Sequence, residues 1–138
     1  MSQGLKILAT AEALAGYASA RQGLIARNVA HADTPGWRAM DLEPFAATVA
    51  AMAATEAAGG ARPFLARATR AGHGGATAPG GAEARASAAI GSASPNGNTV
   101  SLEDQMVRAA ETQLQHAFAL GVWRKSLDIL RASLGAPR

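Results

Sequence analysis

Cysteine is absent from the 138 residues, which removes disulfides, thiolate metal sites and cysteine nucleophiles together. That absence is neutral on redox compartment. Aromatic residues are scarce at 4% and charged residues modest at 17%. No stretch approaches the ~18 to 20 continuous apolar residues of a membrane span, so direct membrane insertion is not expected. Met1 to Tyr17 carries Glu12 and a single Lys6, unlike a basic, apolar, cleavable signal. If the protein leaves the cytoplasm, it needs another export route. Alanine is what the chain has in quantity. The apolar fraction is 49%, but 36 residues are alanine, whose methyl groups bury little area and pack only where backbones come close. The length suits one domain of ordinary size, and the composition excludes a thick core. The net charge of +3 comes from scattered arginines rather than a block, so nucleic acid is not an expected partner.

Composition divides the chain into residues 1–45, 46–98 and 99–138. The middle zone holds 20 Ala, 9 Gly and 3 Pro, against only Val49, Met52, Phe64, Leu65 and Ile90 as large apolar residues. So little apolar area does not offset the ~1 to 2 kcal/mol per residue of backbone ordering. Phe45 to Ala58 reads as a short Ala-rich helix. From Gly59 onward, Gly–Gly and Pro–Gly pairs punctuate a long, low-complexity, flexible insert.

The two ends read as long helices. From Leu5 to Ala32, apolar residues recur at Leu8, Ala11, Ala15, Ala18, Ile25, Val29 and Ala32, broken only across Arg21 and Gln22, which predicts a helix about 42 Å long. Asp33-Thr34-Pro35-Gly36-Trp37 ends it, because proline moves Thr34 out of the α region and Pro-Gly suits the centre of a type II turn. Asn96-Gly97-Asn98 predicts a second turn, after which Ser101 is placed to cap a final helix, with Asp104 completing a variant capping box. In that helix Leu102, Met106, Ala109, Gln113, Ala117, Leu120, Trp123, Leu127, Leu130 and Leu134 form one stripe, and Gly135 and Pro137 mark its stop. Val107, Leu114, Phe118, Val122 and Ile129 form a second stripe off the first, so one neighbouring helix cannot cover both.

No catalytic or metal constellation emerges, and no cofactor or small-molecule substrate is expected. His31, His73 and His116 show no H-x-x-H or H-E-x-x-H spacing. Gly72-x-Gly74 lacks the third glycine and the preceding strand of a phosphate cradle. Glu103, Asp104 and Glu111 read as helix capping and a solvated face, with Asp104 paired to Arg108 at i+4. Arg124, Lys125 and Arg131 beside Trp123 form no basic run or stacking array, and a solvated face accounts for them. Mixed charge on the polar faces matches an anionic membrane poorly.

The run Arg27-Asn28-Val29-Ala30-His31-Ala32-Asp33-Thr34-Pro35-Gly36-Trp37 resembles the N-terminal signature of bacterial flagellar axial proteins, Asn-(Ile/Val)-Ala-Asn-Ala-(Asn/Asp)-Thr-Pro-Gly-(Tyr/Phe). His31 stands where that family has asparagine, and Trp37 where it has tyrosine or phenylalanine. The short chain, the continuation Arg38 to Phe45, and Gly97-Asn98-Thr99-Val100-Ser101-Leu102-Glu103 at the last helix narrow the resemblance to the proximal rod. It covers roughly the first 45 and last 43 residues and leaves the middle unmatched.

The resemblance implies a non-enzymatic structural subunit of the basal-body rod, exported by the flagellar type III apparatus without signal cleavage and polymerised in the periplasm. Its implied partners are copies of itself, other rod proteins, and components of the basal-body base and export apparatus. The expected fold is mainly α, an antiparallel, coiled-coil-like pair of terminal helices. Asn28, Val29, Ala30, Ala32, Asp33, Thr34, Pro35, Gly36 and Trp37 would serve as assembly motif by fixing where the first helix ends. Leu8, Ile25, Val29, Leu102, Met106, Leu114, Phe118, Leu120, Trp123, Leu127, Leu130 and Leu134 would be the packing residues. A small regulatory or chaperone-like helical binding module is the alternative.

Overall fold

A computed structural model describes residues 2–57, 84–86 and 93–135. The elements are α1 (Ser2–Ala30), β1 (Met40–Leu42), α2 (Phe45–Ala57), β2 (Ala84–Ala86) and α3 (Leu102–Ser133). The chain is mainly helical, and its long terminal helices pack together. Both lie within three residues of the spans that apolar spacing predicts, as does the short alanine-rich helix α2. The parts of the insert between residues 58 and 83, and between 87 and 92, lie outside the described residues.

Local chemistry sets the ends of α3. The Ser101 side chain accepts the Asp104 backbone N–H, with Ser101 itself in an extended conformation. That bond satisfies one of the donors a helix start leaves open. The expected box closes differently, because Ser101 Oγ donates to Glu103 while the Asp104 carboxylate turns to Arg108 at 2.8 Å. At the other end the Leu134 N–H reaches the Leu130 carbonyl and the helix stops at Ser133.

Compact packing divides the chain into two units. One comprises Met1–Leu42 with Ala84–Arg138; the other is Glu43–Glu83. The second contains α2, whose start is prepared by Pro44, with its carbonyl accepting the Ala47 N–H at 2.9 Å. In the first unit α1 and α3 run antiparallel. Asn28 near the end of α1 bonds Gln105 near the start of α3, whereas Ala11, Glu12 and Ala15 lie level with Leu120 and Trp123.

The first unit also contains an antiparallel pair of short strands, β1 with β2, in which Asp41 is opposite Arg85. No three-residue segment carries a period long enough to announce a strand, so neither was expected. Composition assigns Ala84–Ala86 and Ser94–Asn98 to the insert, yet both belong to the unit built by the helices.

The seam between the two helices is built mostly from residues outside the expected packing set. Ala11, Ala18 and Ile25 are buried on α1 at intervals of seven, and Tyr17 and Leu24 beside them; on α3 the buried residues are Gln105, Thr112 and Ala119, again seven apart. A repeat of seven is the spacing of a coiled-coil seam. Of the residues expected to pack, Ile25 is buried, and Leu8, Leu120, Leu127 and Leu130 are half-buried. Val29, Leu102, Met106, Leu114, Phe118, Trp123 and Leu134 are exposed, Leu114 at 72% and Phe118 at 64%. The physical reason is polar satisfaction. Thr112 returns its hydroxyl to the Arg108 carbonyl at 2.7 Å, and Gln105 finds Asn28, so these two polar groups are buried in the seam with partners.

This arrangement sets an expected mutational contrast. Ala119→Leu overpacks a site only 1% exposed and should lower stability by about 1–3 kcal/mol. Leu114→Ala should change it by less than about 0.5 kcal/mol. Urea unfolding followed by helical circular dichroism compares the two. Equal midpoints would place the seam elsewhere.

Candidate functional site: the helix-end junction

Where α1 ends, its last turn loosens through hydrogen bonds from the His31 N–H to Arg27 and Asn28 carbonyls and from the Ala32 N–H to Val29. The chain then turns at Thr34-Pro35-Gly36-Trp37, with the Trp37 N–H on the Thr34 carbonyl at 3.3 Å and Gly36 at φ 71°. Positive φ at the residue after proline is the geometry of the expected type II turn. A second turn meets it. Gly97 has φ 78°, and a Cβ there would sit 3.6 Å from the Gly36 Cα. The Gly36 N–H donates to the Asn96 carbonyl at 3.0 Å. Glycine is favoured at both positions because each backbone is left-handed.

Asn98 holds these turns together. Its side chain is 2% exposed, and its Nδ2 lies 2.7–3.0 Å from the carbonyls of His31, Ala32 and Thr34. Its Oδ1 accepts the Val100 N–H at 2.8 Å. One amide therefore ties together carbonyls of the turn that follows α1. The Thr99 N–H bonds the Trp37 carbonyl, and Thr99 Oγ1 accepts the Ala39 N–H at 2.9 Å, extending the same contact.

Asn28 performs the corresponding task one turn earlier. Its Oδ1 accepts the Met40 N–H at 3.0 Å and its Nδ2 donates to the Met40 carbonyl at 2.7 Å, the two-way exchange that a paired strand would make. The same Nδ2 reaches Gln105 Oε1 at 3.1 Å. One side chain, 1% exposed, therefore links α1, β1 and α3.

Beside Asn28 lies an ionic cluster. Arg21 grips Asp41 through both carboxylate oxygens at 2.9 Å, and Arg108 reaches Asp41 Oδ2 at 2.6 Å while its Nε lies 2.8 Å from Asp104. These four side chains are only 14–16% exposed. The Asp104–Arg108 pair is thus present as expected, but it is part of a buried network and not of a solvated face. Burial alone would raise the Asp41 pKa. Hydrogen bonds from Arg21 and the Leu42 N–H, with the charges of Arg21 and Arg108, outweigh it and hold Asp41 below the ordinary carboxylate value. Arg21 is held correspondingly high by its hydrogen bond to Asp41, against its own burial.

Of the expected assembly motif, Asn28 is buried, Ala32 and Trp37 are half-buried, and Val29, Ala30, Asp33, Thr34, Pro35 and Gly36 are exposed. The two positions where the motif departs from the flagellar axial form touch each other: His31 and Trp37 stack at 3.8 Å with 15° between their planes, and His31 Nδ1 lies 3.2 Å from Thr34 Oγ1. Asn98, Gln105 and the Arg21–Asp41–Arg108 cluster were not singled out as site residues. Arg21 gave a signal, since it interrupts the apolar spacing of α1 at a position that becomes part-buried. Among the described residues no group of three or more His, Asp or Glu side chains could hold a metal, and no helix is long and apolar enough to cross a membrane. Comparison with family models and with curated proteins finds no match to the chain.

Two outcomes test the junction. Asn98→Ala removes the donor shared by carbonyls of the turn after α1 and should cost about 1–3 kcal/mol, read as a lower urea midpoint. Asp41 has a pKa lower folded than unfolded, so its stabilisation is present above the ordinary value of 3.8 and is lost as pH falls through the lower folded value. Stability should therefore fall with pH below about 4 more steeply in the native chain than in Asp41→Asn. Parallel pH curves for the two would show that the cluster contributes nothing.

Proposed function

We propose that this chain is a structural subunit of the bacterial flagellar basal-body rod, a proximal rod protein of the FlgB type. The observation that carries the reading is the outward placement of its large apolar side chains. The helix pair closes on Ala18, Ile25, Gln105, Thr112 and Ala119, while Leu102, Met106, Val107, Leu114, Phe118 and Ile129 stay exposed. Exposed apolar surface of this extent marks an interaction site. At 100° per residue, the Leu102–Met106 stripe lies roughly 100° from the α3 seam on one side and the Val107–Leu114–Phe118–Ile129 stripe roughly 130° from it on the other. One partner helix covers only one stripe, which favours a subunit surrounded by neighbours over a binding module with a single partner.

The resemblance of Asn28 to Trp37 to the axial-protein signature adds the identity of the assembly. In this reading the junction is geometric: it fixes the antiparallel register and presents the stripes to copies of the chain and to other rod proteins. The chain performs no catalysis, uses no cofactor, passes through the flagellar export apparatus without signal cleavage, and resides in the periplasmic rod. Its remaining partners are base and export components.

The test is location. The tagged protein should co-purify with isolated basal bodies and remain in the rod fraction at high salt, since apolar contacts are not screened. Deletion of its coding sequence should abolish motility. A tagged chain recovered only in soluble fractions from motile cells would overturn the proposal.

A further inference from the structure

A groove of about 300 Å³ opens between the helices far from the junction, lined by Ala11, Glu12, Ala15, Leu120 and Trp123. Its volume is at the bottom of the range for small-molecule sites, and it lacks the several convergent polar groups that orient a ligand. Two alanines form one wall, and Leu120 and Trp123 contribute the other. Such a shape takes an apolar side chain from a helix.

Glu12 is the groove's charged member. It is exposed and makes no ion pair or hydrogen bond among the described residues. Among the described residues the chain carries a matching surface of its own. Along the outer stripe of α3, Leu114, Phe118 and Ile129 are exposed at 72, 64 and 61%, and Lys125 stands in line with them at helical spacings of seven and four. Lys125 is likewise exposed and unpaired among the described residues. The free carboxylate thus belongs to an apolar recess, and the free ammonium to an apolar ridge of the same chain.

We propose that the groove receives the Phe118–Lys125–Ile129 ridge of a second copy, with Lys125 of that copy meeting Glu12. Groove and ridge are different surfaces, so the contact is heterologous, and each added copy presents a further groove or ridge. A chain joined this way forms open filaments or rings instead of a closed pair. The inference rests on the assembly reading above and names the surfaces through which copies meet. Charge complementarity selects the partner, because a displaced register would leave Glu12 and Lys125 each against apolar surface.

Charge reversal tests it with the full purified chain. Glu12→Lys and Lys125→Glu each place like charges at the contact and should weaken self-association by about tenfold in sedimentation velocity, with helical circular dichroism unchanged. Mixing the two variants makes every junction complementary again and should restore assembly, as should carrying both reversals in one chain. Restoration in the mixture is the decisive result, since neither misfolding nor general charge effects produce it. Unaltered association in both single variants, or no recovery on mixing, overturns the proposed contact while leaving rod assembly by other faces intact. A native chain that stays monomeric at millimolar concentration also overturns it, and localisation in basal bodies then decides the rod reading separately.

Discussion

The hydrogen bonds of two buried asparagines to backbone groups are the constraint on which the rest of this fold depends. Asn28 exchanges bonds with Met40 and reaches Gln105; Asn98 gathers the carbonyls of the turn that follows α1. An unpaired polar group inside a protein costs more than a formed hydrogen bond contributes, so such residues act by excluding alternatives. A slip of α1 along α3 by one turn would separate Asn28 from Gln105 and Arg21 and Arg108 from their shared Asp41. The register is therefore specified by polar partners and only then filled by alanine, threonine and isoleucine. Polar residues within a seam commonly have this role in coiled coils.

That choice determines what faces outward. Once the α3 seam is occupied by Gln105, Thr112 and Ala119, bulky residues such as Met106, Val107, Leu114, Phe118 and Ile129 are left exposed. An isolated domain would be expected to invert this distribution, since large apolar side chains gain most from burial at about 25 cal/mol per Å². A subunit that completes its burial against neighbours has the opposite need. It requires a pair held together by specificity and surfaces left free for assembly. The proposed rod role and the proposed groove-to-ridge contact both follow from that division of labour between seam and exterior.

The ionic cluster adds a second layer to the same junction. Asp41 joins β1 to both helices through Arg21 and Arg108, and its carboxylate stays ionised because the arginines outweigh its partial burial. Its energetic value is modest compared with its geometric one, since desolvation offsets much of the attraction between charges. What it fixes is the direction in which the chain leaves the turn at Gly36.

How much of this was legible depends on the range of the interaction. Helix spans, the Ser101 cap, the stop near Gly135 and the Pro35-Gly36 turn are written locally, in residues within a few positions of one another. For that reason spacing and capping chemistry sufficed to place them. The seam was not legible in the same way, because the last helix carries apolar residues around most of its circumference and a hydrophobic period cannot choose among three candidate faces. Leu114 and Phe118 look like core by composition and are surface by position. The choice was made by contacts across large sequence separations: Asn28 with Gln105, Asn98 with the end of α1, Asp41 with Arg108. The sequence by itself determined two long helices and the turns that bound them. Only tertiary structure decided which faces meet, because satisfying buried polar groups is a property of partners that the chain order does not place side by side.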